Sequence, residues 1–176
     1  MRRAAAIAAI VAAAVAVGCR PQAEPRSFYT SIRPSDCQAP PQDVAAAFTA
    51  RDLGVQQCPA PEGWRLLVVA SDANAWIELR GPGLTWSGEQ PIVYDSPIGL
   101  FPSVNGSERV EWRWRGEGRP TAVIFRVTAR DRETLTGDVT ALFVIRLMED
   151  RGCVIGRVDT EARARQLADG NLACPV

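Results

Sequence analysis

Large apolar and charged side chains alternate strictly along residues 109–115. The apolar positions are Val110, Trp112 and Trp114, and the charged positions are Glu111, Arg113 and Arg115. A period of two places the two sets on opposite faces of a β-strand. The pattern therefore predicts a strand with one buried face and one solvated face.

Four further segments carry strand patterns. Residues 64–70 and 75–80 are apolar runs on either side of the turn-forming residues 71–74, so they predict a β-hairpin. Residues 121–128 and 140–148 are apolar at both odd and even positions over much of their length. This predicts two central strands that are covered on both faces.

Shorter patterns complete the set of predicted elements. Residues 153–158 and 92–94 predict short strands, and residues 161–169 and 42–50 predict helices, the first of them ended by Gly170. The fold predicted is mainly β (α+β). It consists of an antiparallel sheet or partly closed barrel of five to seven strands with one or two short helices, including one near the C-terminus.

The N-terminus carries a different signal. Two arginines precede an apolar run over residues 4–17, which has the length of a secretory signal and is shorter than the roughly 20 residues needed to span a bilayer. The run ends in Gly18-Cys19, and this junction resembles the lipobox of bacterial lipoprotein precursors. That resemblance implies cleavage before Cys19 and lipidation of its thiol. The alternative is ordinary cleavage after Ala16, which leaves Cys19 as a spare thiol.

The resemblance also implies a domain plan and a location. Residues 1–18 are the signal peptide, residues 19–36 a flexible lipid-anchored tether, and residues 37–176 a single disulfide-stapled β-rich domain. Arg20 follows the cysteine where an Asp retains related lipoproteins at the inner membrane. The periplasm-facing surface of the outer membrane is therefore the expected location.

The chain has five cysteines. Lipidation of Cys19 leaves an even set for two disulfides in an oxidising compartment. The set is Cys37, Cys58, Cys153 and Cys174. Three pairings are open, and we favour Cys37–Cys58 with Cys153–Cys174, because each pair brackets a short stretch of chain.

The net charge and the residue types present exclude several classes of function. Loss of residues 1–18 removes two arginines from 20 basic residues and none of the 20 acids, so the mature chain has a formal charge of about −2. This balance argues against binding to nucleic acid. The absence of His and Lys excludes catalytic Ser-His pairs, imidazole-ligated metals and lysine nucleophiles. We expect no metal site and no cofactor.

The tryptophan-bearing strand is the candidate binding face. Its residues Trp112 and Trp114, with Glu111, Arg113 and Arg115 on the opposite face, could contact a glycan, a peptide or a partner protein. The interpretation that we favour is that the rings fill the core of the sheet and the charges are solvated.

The overall expectation is a lipid-anchored envelope protein with a non-enzymatic binding or assembly role, whose partners are the membrane and an envelope protein or glycan. The alternative function is a carboxylate-dependent hydrolase of envelope glycans, which needs two converging acids about 5–9.5 Å apart. Glu108 and Glu111 are three residues apart and are therefore expected on opposite faces of their strand.

Overall fold

The computed structural model describes residues 24–95 and 97–174, and in these ranges ten strands form two antiparallel sheets. In chain order they are β1 (Arg26–Ser31), β2 (Gly54–Cys58), β3 (Arg65–Ala70), β4 (Ala75–Gly81), β5 (Leu84–Ser87), β6 (Leu100–Ser103), β7 (Arg109–Trp114), β8 (Ala122–Arg130), β9 (Asp138–Leu147) and β10 (Gly152–Val158). The larger sheet has the order β1-β7-β8-β9-β10, with β6 also paired to β8, and the smaller has the order β2-β3-β4-β5. The prediction of a mainly β fold is confirmed. The sequence predicted one sheet, and the structure has two.

The long apolar segments occupy the positions that their patterns predict. β8 and β9 lie inside the larger sheet and pair along nine positions, from Ala122↔Arg146 to Arg130↔Asp138. β3 and β4 form the expected hairpin, closed by a hydrogen bond from the backbone N–H of Ser71 to the carbonyl of Asn74. Strands that are buried on both faces need apolar residues at every position, which explains the continuous runs.

Two α-helices cover parts of the sheets: α1 (Gln42–Thr49) and α2 (Glu161–Asp169). Thr160 is the N-cap of α2, and its side chain accepts a hydrogen bond from the backbone N–H of Arg163. Ala164 and Ala168 of α2 pack on the outer face of the larger sheet, in a small apolar cluster with residues of β8 and β9. Both helices were expected from the sequence.

The main core lies between the two sheets. Trp64, which precedes β3, packs edge-on against Trp112 of β7 with ring centroids 5.6 Å apart. Phe125 of β8 stacks on Phe143 of β9 at 6.1 Å. A Cβ atom at Gly81 would lie 2.7 Å from the ring of Trp64, so the close approach of that ring to β4 depends on glycine.

Residues 26–36 belong to the fold, which corrects the predicted tether of residues 19–36. β1 pairs antiparallel with β7 in the register Arg26↔Trp114 to Ser31↔Arg109. The prolines that suggested an extended tether flank this strand at positions 25 and 34 and do not interrupt it. A strand tolerates proline at its ends, where the missing N–H breaks no ladder bond.

Residues 92–94 form no strand, contrary to the sequence prediction. They lie in a π-helical turn over Glu89–Tyr94, in which Ile92 is buried. Pro91 has no N–H for a strand ladder, and the turn brings Ile92 into the core instead. Within the described parts of the chain, no helix has the length and apolar character that crossing a membrane requires.

Two disulfides join the predicted pairs. Cys37–Cys58 links the segment after β1 to the end of β2, and Cys153–Cys174 links β10 to the chain after α2. Each joins residues 21 positions apart. Stable disulfides are typical of an oxidising, extracytoplasmic compartment, and this chain therefore belongs to one.

A buried arginine holds the end of α2 near the second disulfide. Arg146 of β9 is 7% exposed, and its guanidinium donates hydrogen bonds to the carbonyls at the end of the helix and beyond it. The acceptors are Leu167, Ala168, Gly170 and Leu172. Burial, and secondarily the charge of Arg115, lowers the pKa of Arg146. Backbone carbonyls replace the carboxylate that usually accompanies a buried arginine.

Removal of the Cys153–Cys174 disulfide should lower the stability of the protein. We expect the double variant Cys153→Ala/Cys174→Ala to lower the free energy of unfolding by about 3 kcal/mol. The disulfide closes a loop in the unfolded chain and reduces its conformational entropy, and the variant loses this destabilisation of the unfolded state. Urea denaturation of the oxidised proteins measures the difference. An unchanged midpoint would show that Arg146 alone holds the C-terminal segment.

Candidate functional site

The residues predicted as one binding face lie on two separate surfaces. Trp112 and Trp114 project between the sheets, where Trp112 belongs to the main core and Trp114 packs against it. Glu111 and Arg113 project from the other face, toward α2. The alternation along β7 is confirmed, and the two sets lie on opposite faces of the larger sheet.

Trp112 is a core residue. It is 0% exposed, and its indole N–H donates a 2.9 Å hydrogen bond to the hydroxyl of Thr30 on β1. Buried indoles usually satisfy their N–H in this way. Trp112 therefore has no surface to offer a ligand.

The charged face of β7 is covered, which corrects the expectation of a solvated face. Glu111 and Arg113 are each 6% exposed. α2 lies across this face, and Asp169 near its end forms an ion pair with Arg113. Arg115, one residue beyond β7, donates hydrogen bonds to the carbonyl of Gly170 at 2.9 Å and to the side chain of Asn171 at 2.8 Å.

Glu111 is the centre of a polar cluster, which we define as Glu111, Arg113, Arg165 and Asp169. Its two carboxylate oxygens accept hydrogen bonds from Nε of Arg165 at 2.9 and 3.1 Å. Burial raises the pKa of Glu111, but hydrogen bonds from Arg165 and Ser27 outweigh it, and the pKa lies below its ordinary value. The same hydrogen bond raises the pKa of Arg165. Glu111 is thus ionised, and the side chains of the cluster are paired with one another.

A polar cavity of about 460 Å³ lies beside this cluster. Three carboxylates line it: Glu108, Glu111 and Glu161. Glu108 precedes β7 and does not follow the strand's alternation, so it reaches the same cavity as Glu111, contrary to the prediction from spacing. Glu108 is also paired with Arg33 at 2.7 Å on the surface. An ionised Glu111 cannot donate a proton near neutral pH.

An open groove of about 660 Å³ lies where β1 begins. Rings, prolines and charged side chains from four separate segments of the chain line it. We call it the aromatic groove, and its defining residues are Arg26, Phe28, Pro61, Glu62, Trp64, Pro82, Trp114, Arg119 and Pro120.

The rings of the aromatic groove are held in place by the strands and turns around them. Phe28 and Trp114 meet edge-to-face at 6.3 Å, and the guanidinium of Arg26 lies 5.7 Å from the centre of the Trp114 ring. The indole N–H of Trp114 donates a 3.0 Å hydrogen bond to the carbonyl of Gly118 in the β7–β8 turn. Gly118 has a φ of 94°, a conformation that favours glycine.

The aromatic groove is accessible as well as ordered. Phe28 is 50% exposed, whereas Trp64 at the base of the groove is 8% exposed. Trp114 was a predicted site residue and does line this groove, but Phe28 and Arg26 were missed. The adjacent aromatics Phe28 and Tyr29 inside a proposed tether were the available signal, since a solvated tether gains nothing from large rings.

Cys19, the predicted lipidation site, lies outside the described residues. No group of three His, Cys, Asp or Glu side chains in residues 24–95 and 97–174 is arranged to hold a metal ion.

Comparison with known proteins gives no relative: no family model matches the chain, and neither the curated proteins nor the solved structures contain a match. Function is therefore inferred from the aromatic groove, the polar cluster and the N-terminal sequence. Of the two surfaces, the aromatic groove has a mainly apolar lining, whereas the cavity beside the polar cluster has a mainly polar one.

Proposed function

We propose that this protein is a lipid-anchored component of the bacterial cell envelope with a non-enzymatic binding or assembly role. Its binding surface is the aromatic groove, and its anchor is a lipid on Cys19. The anchor is supported by the resemblance of Gly18-Cys19 to a lipobox and by the pairing of the other four cysteines in two disulfides. The Arg20 that follows favours the outer membrane and a periplasm-facing domain.

The observation that carries the binding role is the construction of the aromatic groove. Its volume lies in the range of roughly 300–1,000 Å³ that is typical of ligand sites. The ring of Trp114 is fixed by a hydrogen bond, and Phe28 lies on a paired strand. Rings that are already ordered lose little conformational entropy when a partner binds.

The alternative, a carboxylate-dependent glycan hydrolase, has one observation in its favour. Glu108, Glu111 and Glu161 line a common polar cavity. Hydrolysis of a glycosidic bond needs one carboxylic acid with a raised pKa to protonate the leaving group. The pKa of Glu111 is lowered, and Arg165 occupies both of its oxygens. The binding role is therefore the better supported of the two.

Loss of the anchoring thiol should release the protein. We expect Cys19→Ala to move the protein from the membrane fraction to the soluble periplasmic fraction, or to leave an unprocessed precursor. Cell fractionation with mass analysis of the N-terminus distinguishes these results. Cys37→Ala is the matched control, since it also removes one cysteine but should leave the protein in the membrane fraction. A wild-type chain that begins at Val17 with an unmodified Cys19 would refute the anchor.

A further inference from the structure

We propose that the aromatic groove docks onto the phospholipid headgroup region of the membrane that holds the anchor. This inference rests on the proposed function, because it takes Cys19 as the lipid-bearing N-terminus. It names the partner of the aromatic groove as a lipid surface. The groove residues nearest the anchor along the chain are Arg26 and Phe28.

The length of the chain places the aromatic groove close to the membrane. Only seven residue steps separate Cys19 from Arg26, the first residue of β1. Seven fully extended residues reach at most about 25 Å. Arg26 itself lines the groove, so a lipid on Cys19 holds the rim of the groove within that distance of the bilayer.

The chemistry of the aromatic groove suits a headgroup layer. The indole of Trp114 favours the boundary between water and hydrocarbon, and the half-exposed ring of Phe28 supplies an apolar surface that can enter this boundary. Arg26 and Arg119 supply two cations for lipid phosphates against one acid, Glu62. An apolar centre with cationic side chains around it matches the layered polarity of the interface.

The anchor makes a small docking surface sufficient. A protein that is already held at the bilayer meets it at a high effective concentration, so a contact too weak to recruit the free domain is still populated. Docking would fix the orientation of the domain, with the opposite end directed away from the membrane.

The opposite end of the larger sheet offers a matched control position. Phe101 of β6 is 56% exposed, close to the 50% of Phe28. β6 pairs with the end of β8 at Leu100↔Arg130, whereas the aromatic groove lies near its start, where Ala122 pairs with Arg113. Eight residue steps along β8 separate these positions by about 26 Å.

The experiment uses the thiol that the disulfides leave free. The mature chain from Cys19 to Val176, with both disulfides formed, is coupled through Cys19 to a maleimide lipid. The vesicles contain phosphatidylethanolamine and phosphatidylglycerol, with acyl chains brominated near the headgroup to quench tryptophan fluorescence. The variants Phe28→Trp and Phe101→Trp each add one indole to the same background, and the wild-type signal is subtracted.

We expect brominated lipid to quench the indole at position 28 about twofold or more, because interfacial side chains lie within the upper 5–10 Å of the lipid. The indole at position 101 should stay unquenched. Equal urea midpoints for the two variants and the wild type confirm that the added indoles report position and not unfolding.

Two results would overturn the inference. Equal quenching at both positions would show that the domain tumbles freely on its tether. No quenching at either position would show that the groove stays in water and does not contact the lipid. Chemical coupling does not depend on cellular lipidation. A failure here therefore leaves the result of Cys19→Ala standing, and a failure of Cys19→Ala does not alter what the vesicles show.

Discussion

Trp112→Ala should lower the free energy of unfolding by about 3–5 kcal/mol, the usual cost of deleting a large buried ring. Trp112 has no exposed surface, contacts the ring of Trp64 and donates its N–H to Thr30. The variant leaves a cavity between the sheets and an unsatisfied hydroxyl on β1. Urea denaturation followed by circular dichroism measures the change.

The control for this prediction is the neighbouring tryptophan on the same face. Trp114→Ala should cost only about 1–2 kcal/mol, because its ring lines an open groove and leaves no closed cavity. An equal loss of unfolding free energy in the two variants would contradict the conclusion that Trp112 is a core ring and Trp114 a groove ring.

Glu111→Gln should lower the free energy of unfolding by about 2 kcal/mol at pH 7, because it removes the buried carboxylate that Arg113 and Arg165 share. Arg113 then keeps its ion pair with Asp169, and Arg165 keeps its ion pair with Glu161. A lowered pKa in the folded state means that the carboxylate stabilises the fold above its unfolded pKa of about 4.3. That stabilisation is lost as the pH falls through the folded value.

The difference between wild type and Glu111→Gln should therefore be largest at neutral pH and should shrink below about pH 4. Unfolding free energies measured from pH 7 to pH 3 check this trend. Glu108→Gln is the control, since it breaks an exposed ion pair with Arg33 and should leave the free energy of unfolding nearly unchanged. A pH-independent difference for Glu111→Gln would show that shape, and not charge, accounts for the loss.

Sequence patterns predicted the elements that depend on local information. The alternation of β7, the apolar runs of β8 and β9 and the helix α2 ended by Gly170 are confirmed. The short strands β2, β5 and β6 were not predicted, because four or five residues between turns carry too little periodicity.

Burial of the candidate site residues depends on which elements cover them, and local patterns do not contain that information. Trp112 and Trp114 have the same parity, yet β1 and the loop before β3 enclose only the first. Glu111 and Arg113 follow a pattern typical of a solvated face, but α2, about fifty residues later, covers it. The aromatic groove likewise combines segments that are distant in sequence.

The pairing of β1 with β7 has a consequence for the order in which the protein folds. β1 is the first strand in the chain, but its partner β7 begins more than eighty residues after the start of β1. The hydrogen bond from the indole N–H of Trp112 to the hydroxyl of Thr30 therefore forms only after β7 is available. A chain that leaves the cytoplasm N-terminus first exposes β1 as an unpaired edge until β7 has followed it across the membrane. Export and completion of the larger sheet are thereby coupled, and a truncation upstream of residue 109 leaves β1 as an unpaired, aggregation-prone edge strand.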